Sequence, residues 1–428
     1  MLKKTLIISI LLLSCLYGLV SAAEEEKFVN LIPIASPITP IAARVIVQAI
    51  SQSATDSAEA LIIELDTPGG LDESMRQIVR EILNSKVPVI VYVSPGGARA
   101  ASAGVFITLA AHIAAMAPGT NIGAAHPVGL GGQIDSTMLK KVENDAAAYI
   151  KSLAKKRGRN EEWAEEAVRK SVSIPEYEAL QKNVIDLVAN DLRDLLSKVD
   201  GRKIALQEGE ERTLHTKNAQ VKRIEISWRD RILEVITNPN IAYILYTLGM
   251  LGLFFELSNP GAIFPGIIGG ICLILAFFAF QSLPINYAGV LLMALALILF
   301  LLEVKIVSHG ALTIGGIISM LLGSLLLFDS PVPYMRVSLT LIIVAVVSTA
   351  LFFIFAVGMG IKAQRRKPTT GQAGLLGQIA VVRTPLEPEG TVFVEGELWK
   401  AISDQPVQAG EKVKILGVEH LTLKVTKA

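Results

Sequence analysis

The chain has 428 residues, 51% of them hydrophobic, with 40 basic and 39 acidic side chains and a formal charge of +1. That length has room for two or three domains, and the hydrophobic share is high for a soluble protein. The near-neutral balance excludes a basic footprint for nucleic acid. The two cysteines, Cys15 and Cys272, both in apolar runs, exclude a disulfide framework and a CxxC metal site.

At the N-terminus, Lys3 and Lys4 precede the apolar run TLIISILLLSCLYGLV, then SAA and EEEK. A charged start, an apolar middle and small residues before a cut describe a secretory signal peptide. The expected leader is 1–23, cut near Ala22 or Ala23; the other reading is an uncleaved anchor helix. In both, the chain from residue 24 leaves the cytoplasm.

Residues 24–230 alternate short apolar runs with helix-period stretches. FVNLIPI, ALIIELDTP and PVIVYVSPGG read as buried strands, and PIAARVIVQAISQSA and ESMRQIVREILNSK as helices. The alternation predicts an α/β domain with a mostly parallel sheet.

Three pieces of this domain carry candidate chemistry. DTPGG, Asp66 to Gly70, closes a strand with a glycine pair, freeing a turn whose N–H groups can face an oxyanion. SPGGARAASAG places Ser102 where a strand gives way to a helix-like segment, VFITLAAHIAAM. A serine there can be held exposed with amides at the helix start beside it; the bland reading is a tight packing corner. The third piece is a base, since a hydroxyl is a weak nucleophile until its proton is taken. STMLKKVENDAAAYIKSLAKK predicts an amphipathic helix with Met138, Leu139, Val142, Ala146, Tyr149, Ile150 and Leu153 on one face. Lys140 points away from that face, and Lys141 flanks it, where burial beside a cleft would favour the neutral amine. The bland reading of Lys141 is a surface lysine paired with Asp145. His126, in GAAHPVGLGG, is the rival base, with Asp135, Asp145 and Asp186 as possible orienting acids. His112 is read as packed.

Residues 238–361 hold five apolar runs, about 241–257, 262–280, 285–302, 310–328 and 338–359. Each approaches the roughly 20 residues needed to cross a bilayer. KAQRRK, 362–367, marks the following end as cytoplasmic and, over five crossings, the first domain as extracytoplasmic. Arg336 is a minor exception to that charge bias. Glu256 and Glu303, at run ends, read as headgroup-level polar residues. Residues 372–428 alternate again in short strands and predict a five-stranded barrel of OB type, better suited to docking protein than nucleic acid.

IIELDTPGG, VIVYVSPGGARAASAG, IAAMAPGTNIGAAHPV and KVENDAAAYIKSLAKKRGRN resemble the NfeD family of membrane-bound, Clp-class serine proteases. FELSNPGAIFPGIIGGI and the C-terminal barrel extend the resemblance over nearly the whole mature chain, in the long-form order. The resemblance implies a Clp/crotonase-like α/β protease domain, an all-α multi-span membrane region and a small all-β barrel. It implies Ser102 as nucleophile, Lys141 as general base, and Gly69 or Gly70 with Ala103 as oxyanion donors; His126 ranks second as base. It implies ATP-independent peptidase activity on apolar protein segments, notably the C-terminal region of stomatin-like membrane proteins. It also implies a barrel that docks such partners, a homo-oligomer, and no metal or cofactor. The alternative is a non-catalytic membrane scaffold for stomatin-like assemblies.

Overall fold

A computed structural model describes residues 27–128, 136–206, 210–259, 261, 263–306, 308–328, 330, 335–364 and 372–428. The expected leader, 1–23, lies outside the described residues, as do Asp135 and the last part of KAQRRK. The chain forms two compact units, one of residues 1–306 and 311–348 and one of residues 307–310 and 349–428.

The first unit opens with β1 (Phe28–Ile34), α1 (Pro40–Thr55), β2 (Leu61–Leu65), α2 (Asp72–Leu83) and β3 (Val89–Val93). Each strand pairs in parallel with the next. Both faces of these strands are mainly apolar because both are covered. Ile32, Ile63 and Val91 enter one core, and Leu31, Ile62 and Ile90 enter the other. Apolar residues on both faces are what a parallel sheet covered on each side requires; Asn30 and Glu64 are the polar exceptions, hydrogen-bonded to Ser53 Oγ and Ser94 Oγ. α1 starts where Thr39 Oγ1 accepts from the Ala42 amide at 3.2 Å, with Pro40 in its first turn.

After β3 come β4 (Arg99–Ala101), α3 (Ala103–Ala110), β5 (Ile113–Met116), β6 (Asn121–Gly123) and α4 (Ser136–Lys156). The sequence read VFITLAAHIAAM as one helical stretch. Instead α3 stops at Ala110 and IAAM is a sheet strand, because an apolar run this short has no period that separates buried helix from buried strand. The domain continues with α5 (Glu161–Arg169), β7 (Ser173–Pro175), α6 (Glu176–Gln181), β8 (Leu187–Val188), α7 (Leu192–Val199), β9 (Lys203–Ala205), β10 (Glu211–Thr213) and β11 (Gln220–Arg223). The main sheet runs β11-β1-β2-β3-β5-β8, and β4-β6-β7 form a second, smaller sheet.

α8 (Trp228–Ile236) leads into α9 (Pro239–Ser258), α10 (Ile263–Phe280), α11 (Tyr287–Lys305), α12 (Ala311–Leu326) and α13 (Leu339–Gln364). All five apolar runs are helical. Among the described residues, α9, α10 and α11 are long and apolar enough, by length and composition, to cross a membrane. Lipid tails offer no hydrophobic drive between helices, so close contact comes from small residues. A Cβ on Gly252 would stand 2.7 Å from the Gly269 Cα, so α9 and α10 touch through their backbones there. Gly289 and Gly323 serve α11 and α12 in the same way. Glu303 Oε2, at the end of α11, accepts from the Thr313 amide at 3.0 Å, capping the first turn of α12.

The second unit contains α14 (Gln372–Leu375) and strands β12 (Ile379–Thr384), β13 (Glu389–Val394), β14 (Glu397–Ser403), β15 (Lys412–Glu419) and β16 (Thr422–Lys427). They close a barrel in the order β12-β13-β14-β16-β15. Alternate residues such as Ala380, Val382, Val413, Ile415, Leu423 and Val425 fill its core.

Candidate active site

Ser102 stands between β4 and α3 with φ 51° and ψ −112°. A side chain rarely adopts that backbone, and the strain persists only where surroundings enforce it. Here the Ser102 amide donates to Gly123 O at 3.2 Å, and its carbonyl accepts from the Val105 amide at 3.0 Å. The turn aims the hydroxyl outward while α3 runs back into the core; Ala103 to Ala110 are all buried.

Thr67 locks this turn to the DTPGG turn. Its amide donates to Arg99 O at 2.8 Å, and its carbonyl accepts from the Ala101 amide at 3.1 Å. Its hydroxyl donates to Gly69 O at 3.0 Å and accepts from the Gly69 amide at 3.2 Å. The residue is fully buried. Sequence reasoning named the glycines and passed over this threonine, whose role depends on a strand 32 residues further on.

Gly70 lies against Ile38: the Ile38 amide donates to Gly69 O at 2.8 Å and the Leu71 amide to Ile38 O at 2.9 Å. A Cβ on Gly70 would fall 2.3 Å from Ile38 O, so only glycine fits. Of the two glycines, Gly70 lines the cleft beside Ser102 and Ala103. Gly69 does not, and its N–H is already given to Thr67. The Gly70 amide has no partner among the described residues, and the Ala103 amide, in the first turn of α3, has no intrahelical acceptor. Two unspent donors and the positive end of a helix therefore border the Ser102 hydroxyl, a suitable setting for a developing oxyanion.

The cleft has a volume of about 440 Å³, and Lys141 lines it together with Ser102. Lys141 is exposed rather than buried. The apolar face expected on α4 is covered only in its second half. Ile150 and Leu153 are buried, whereas Met138 and Val142 are 55% and 44% exposed. The expected partner of Lys141 is occupied elsewhere: Asp145 accepts from Arg76 Nη2, while Asp72 Oδ2 accepts from Arg76 Nε at 2.8 Å. Among the described residues Lys141 has no ion-pair partner. Arg76, missed from sequence, also lies over the Tyr149 ring at 4.5 Å and joins α2 to α4 along the cleft wall. Burial alone would lower its pKa, but Asp72 and Asp145 together outweigh that and hold it above the ordinary guanidinium value.

His126 is not among the residues that line the cleft. Its Nδ1 lies 2.9 Å from Val168 O on α5, as a donor to that carbonyl, while its neighbours Ala125 and Pro127 line the cleft. Asp186 accepts from Arg159 at 2.6 Å in an ion pair behind α3. His112 is packed, as read, but in the turn after α3 rather than within it. Its Nδ1 accepts from the Val89 amide at 3.2 Å. Burial, then Arg157 and Arg159, lower its pKa to about 3, so it is neutral. Among the described residues, no cluster of three or more His, Cys, Asp or Glu side chains could hold a metal ion.

Three family models match the chain: "NfeD1b, N-terminal domain" over 28–222, "NfeD integral membrane domain" over 240–358, and "NfeD-like C-terminal, partner-binding domain" over 372–427. The chain is 40% identical over 385 residues to membrane-bound protease PH1510 of Pyrococcus horikoshii, covering 87% of both chains. It is 28% identical over 444 residues to membrane protein NfeD1b of Bacillus subtilis, covering 97% of this chain and 96% of that one. Among solved structures, it is similar to a lysine-to-alanine mutant of the 1510-N membrane-bound stomatin-specific protease in complex with a substrate peptide. The identity is 40% and the TM-score 0.46, covering 50% of this chain and 98% of that one.

Proposed function

The chain belongs to the NfeD family of membrane proteins, in its long form, and from that premise we propose that it is a membrane-anchored serine endopeptidase using a Ser102–Lys141 dyad. The observation that carries this reading is the strained Ser102 backbone at the head of α3, in one cleft with Lys141 and the unspent amide of Gly70.

The reaction is acyl transfer. Lys141, as the neutral amine, accepts the Ser102 proton while Oγ attacks the substrate carbonyl. The Gly70 and Ala103 amides receive the oxyanion; losing one such donor costs about 10²–10³ in turnover. The protonated amine returns its proton to the leaving nitrogen, and water then hydrolyses the acyl-enzyme. Because Lys141 is exposed in the free chain, desolvation of its amine falls to the bound substrate, which covers the cleft. No step calls for ATP, a metal or a cofactor.

Val128 and Val142, 54% and 44% exposed at the cleft, favour apolar substrate segments. The substrate we propose is the C-terminal region of a stomatin-like membrane protein, as the sequence resemblance implies, with the C-terminal barrel docking that partner. The parallel sheet of neighbouring strands is compatible with a Clp/crotonase-like protease domain. The barrel order, first-second-third-fifth-fourth, is compatible with an OB fold. We divide the chain into a leader 1–23, a protease domain 24–230, a membrane domain 238–361 and a barrel 372–428, assembled as a homo-oligomer. The protease domain is extracytoplasmic and the barrel cytoplasmic, following the basic residues after α13.

The test is cleavage of an apolar stomatin-tail peptide by the purified full-length protein, beside Ser102→Ala, Lys141→Ala and His126→Ala. The reading expects the first two variants to be inactive and the third active. Equal activity of all four refutes the hydrolase. Loss in His126→Ala with activity kept in Lys141→Ala transfers the base to the histidine. An inert wild-type chain that still binds the peptide favours a scaffold.

A further inference from the structure

Resting on the protease reading above, we propose that the membrane region supplies a specificity-determining residue to the catalytic cleft. Met335 forms a wall against which an apolar substrate side chain packs.

Met335 lies between α12 and α13, nearly two hundred residues beyond the cleft's other lining residues, yet it borders the same cavity as Ser102, Phe106 and Val142. It is 5% exposed. Described residues near it in sequence are held. The Ser338 amide donates to Asn240 Oδ1 at 2.8 Å, tying the approach to α13 to the first turn of α9, and Val337 is 8% exposed. Arg336 Nε donates to Ser330 O. Before it, the Asn286 amide donates to Leu327 O at 2.9 Å, and Ile285 bridges Phe328. These bonds hold Leu327, Phe328, Ser330, Arg336 and Ser338 at the end of the helical bundle from which α8 leads back to the soluble domain.

A methionine suits this position. Its unbranched thioether adapts to side chains of different shape and adds dispersion contact without a polar group. It extends the apolar rim made by Val128 and Val142 towards the membrane-spanning helices. A substrate segment leaving a bilayer beside those helices would meet residue 335 on its way to Ser102. The soluble domain alone lacks this wall, so its side-chain preference should be broader than that of the full chain.

The experiment uses the full-length protein in detergent and peptides that differ only in one apolar residue, Ala, Val, Leu or Phe, near the scissile bond. Met335→Ala should shift kcat/KM towards Leu and Phe peptides by about tenfold relative to the Ala peptide, and Met335→Trp should shift it the opposite way. The same substitutions in a Ser102→Ala background are measured by fluorescence anisotropy on the same peptides, which reads selection without turnover. Unchanged rank order in both measurements overturns the proposal, whether or not the wild type cleaves. A shifted binding order in a chain that cleaves nothing keeps the Met335 wall and sinks the protease reading instead.

Discussion

Replacing Gly70 by alanine separates an oxyanion donor from an ordinary turn. The added Cβ would lie 2.3 Å from Ile38 O and 2.6 Å from Ile38 Cα and Cβ, whereas ordinary contact begins near 3.4 Å, so backbone must move by about 1 Å. Nothing flexible can yield, because the obstacle is main chain, and the Ile38–Gly69 and Leu71–Ile38 hydrogen bonds at 2.8 and 2.9 Å hold both segments together. Overpacking of this kind costs about 1–3 kcal/mol, and strain on either hydrogen bond adds about 1 kcal/mol. A donor displaced by that distance no longer meets the oxyanion, and a misplacement of roughly 1 Å can cost about 10²-fold. The expected outcome for Gly70→Ala is therefore a folded, moderately destabilised protein with kcat down by about 10²–10³ and KM changed little. Gly417→Ala, where the nearest atom to the new Cβ is 4.0 Å away, is the control and should be silent. Steady-state kinetics with an apolar peptide and thermal unfolding give both readouts. A Gly70→Ala enzyme with wild-type kcat would refute the donor role, and one with raised KM alone would make the turn a binding element.

Thr67→Val keeps the buried volume but removes the hydroxyl that satisfies both the Gly69 amide and carbonyl. It should cost about 1–3 kcal/mol in stability and lower kcat more than it changes KM, with Thr67→Ser restoring both; equal kcat in all three proteins would remove Thr67 from the positioning argument. Ser102→Gly and Ser102→Ala should both be inactive. Glycine relieves a strain of about 1–3 kcal/mol at φ 51° against its own entropic cost of about 0.5–1 kcal/mol. The glycine protein should therefore unfold at the same or a higher temperature, and a clearly lower one would mean the turn is unstrained. His112 gives a pH dependence. Its folded pKa of about 3 lies below the ordinary 6.5, so between those values the unfolded chain binds a proton that the folded chain rejects. The stability held by neutral His112 is complete above pH 6.5 and decays as pH falls towards 3, by at most about 1.4 kcal/mol per unit. Denaturant unfolding followed at buried Trp163 should show this slope in the wild type and a flatter one in His112→Gln, and parallel slopes would contradict it.

The elements that were legible in the sequence are those whose pattern is local. The continuous apolar runs of β1, β2 and β3 and the helical periods of α1 and α2 need no distant partner to be recognised. The small residues around Ser102 marked a strand-to-helix corner, which the structure contains. What could not be read depends on which surface covers which. The period of α4 records an apolar face, but Met138 and Val142 stay exposed, Val142 at the cleft, while Ile150 and Leu153 enter the core. The i,i+4 spacing of Lys141 and Asp145 suggested a pair, yet Asp145 belongs to Arg76, 69 residues away. The bond of His126 to Val168 O and the arrival of Met335 at the cleft are likewise products of tertiary folding, with no local pattern to announce them.

The two ends of α3 explain why a helix of only eight residues can hold a strained corner. At its far end, Arg159 Nη1 donates to Leu109 O at 2.6 Å and Arg157 Nε to Ala110 O at 2.8 Å. These cations satisfy carbonyls that have no intrahelical partner and oppose the negative end of the helix dipole. Burial, and then the charge of Arg159, lower the Arg157 pKa to about 10; the charge is retained at neutral pH at an energetic cost. Asp186 offsets part of that cost by pairing with Arg159 at 2.6 Å. With its C-terminal carbonyls satisfied from the core, the helix cannot slide along its axis to relax Ser102. At its open end the Ala103 amide has no intrahelical acceptor and borders the cleft beside Ser102. Rigidity at the buried end and an unspent donor at the open end therefore serve the same purpose, because a site that stabilises a transient negative charge works best when its dipoles need not reorganise.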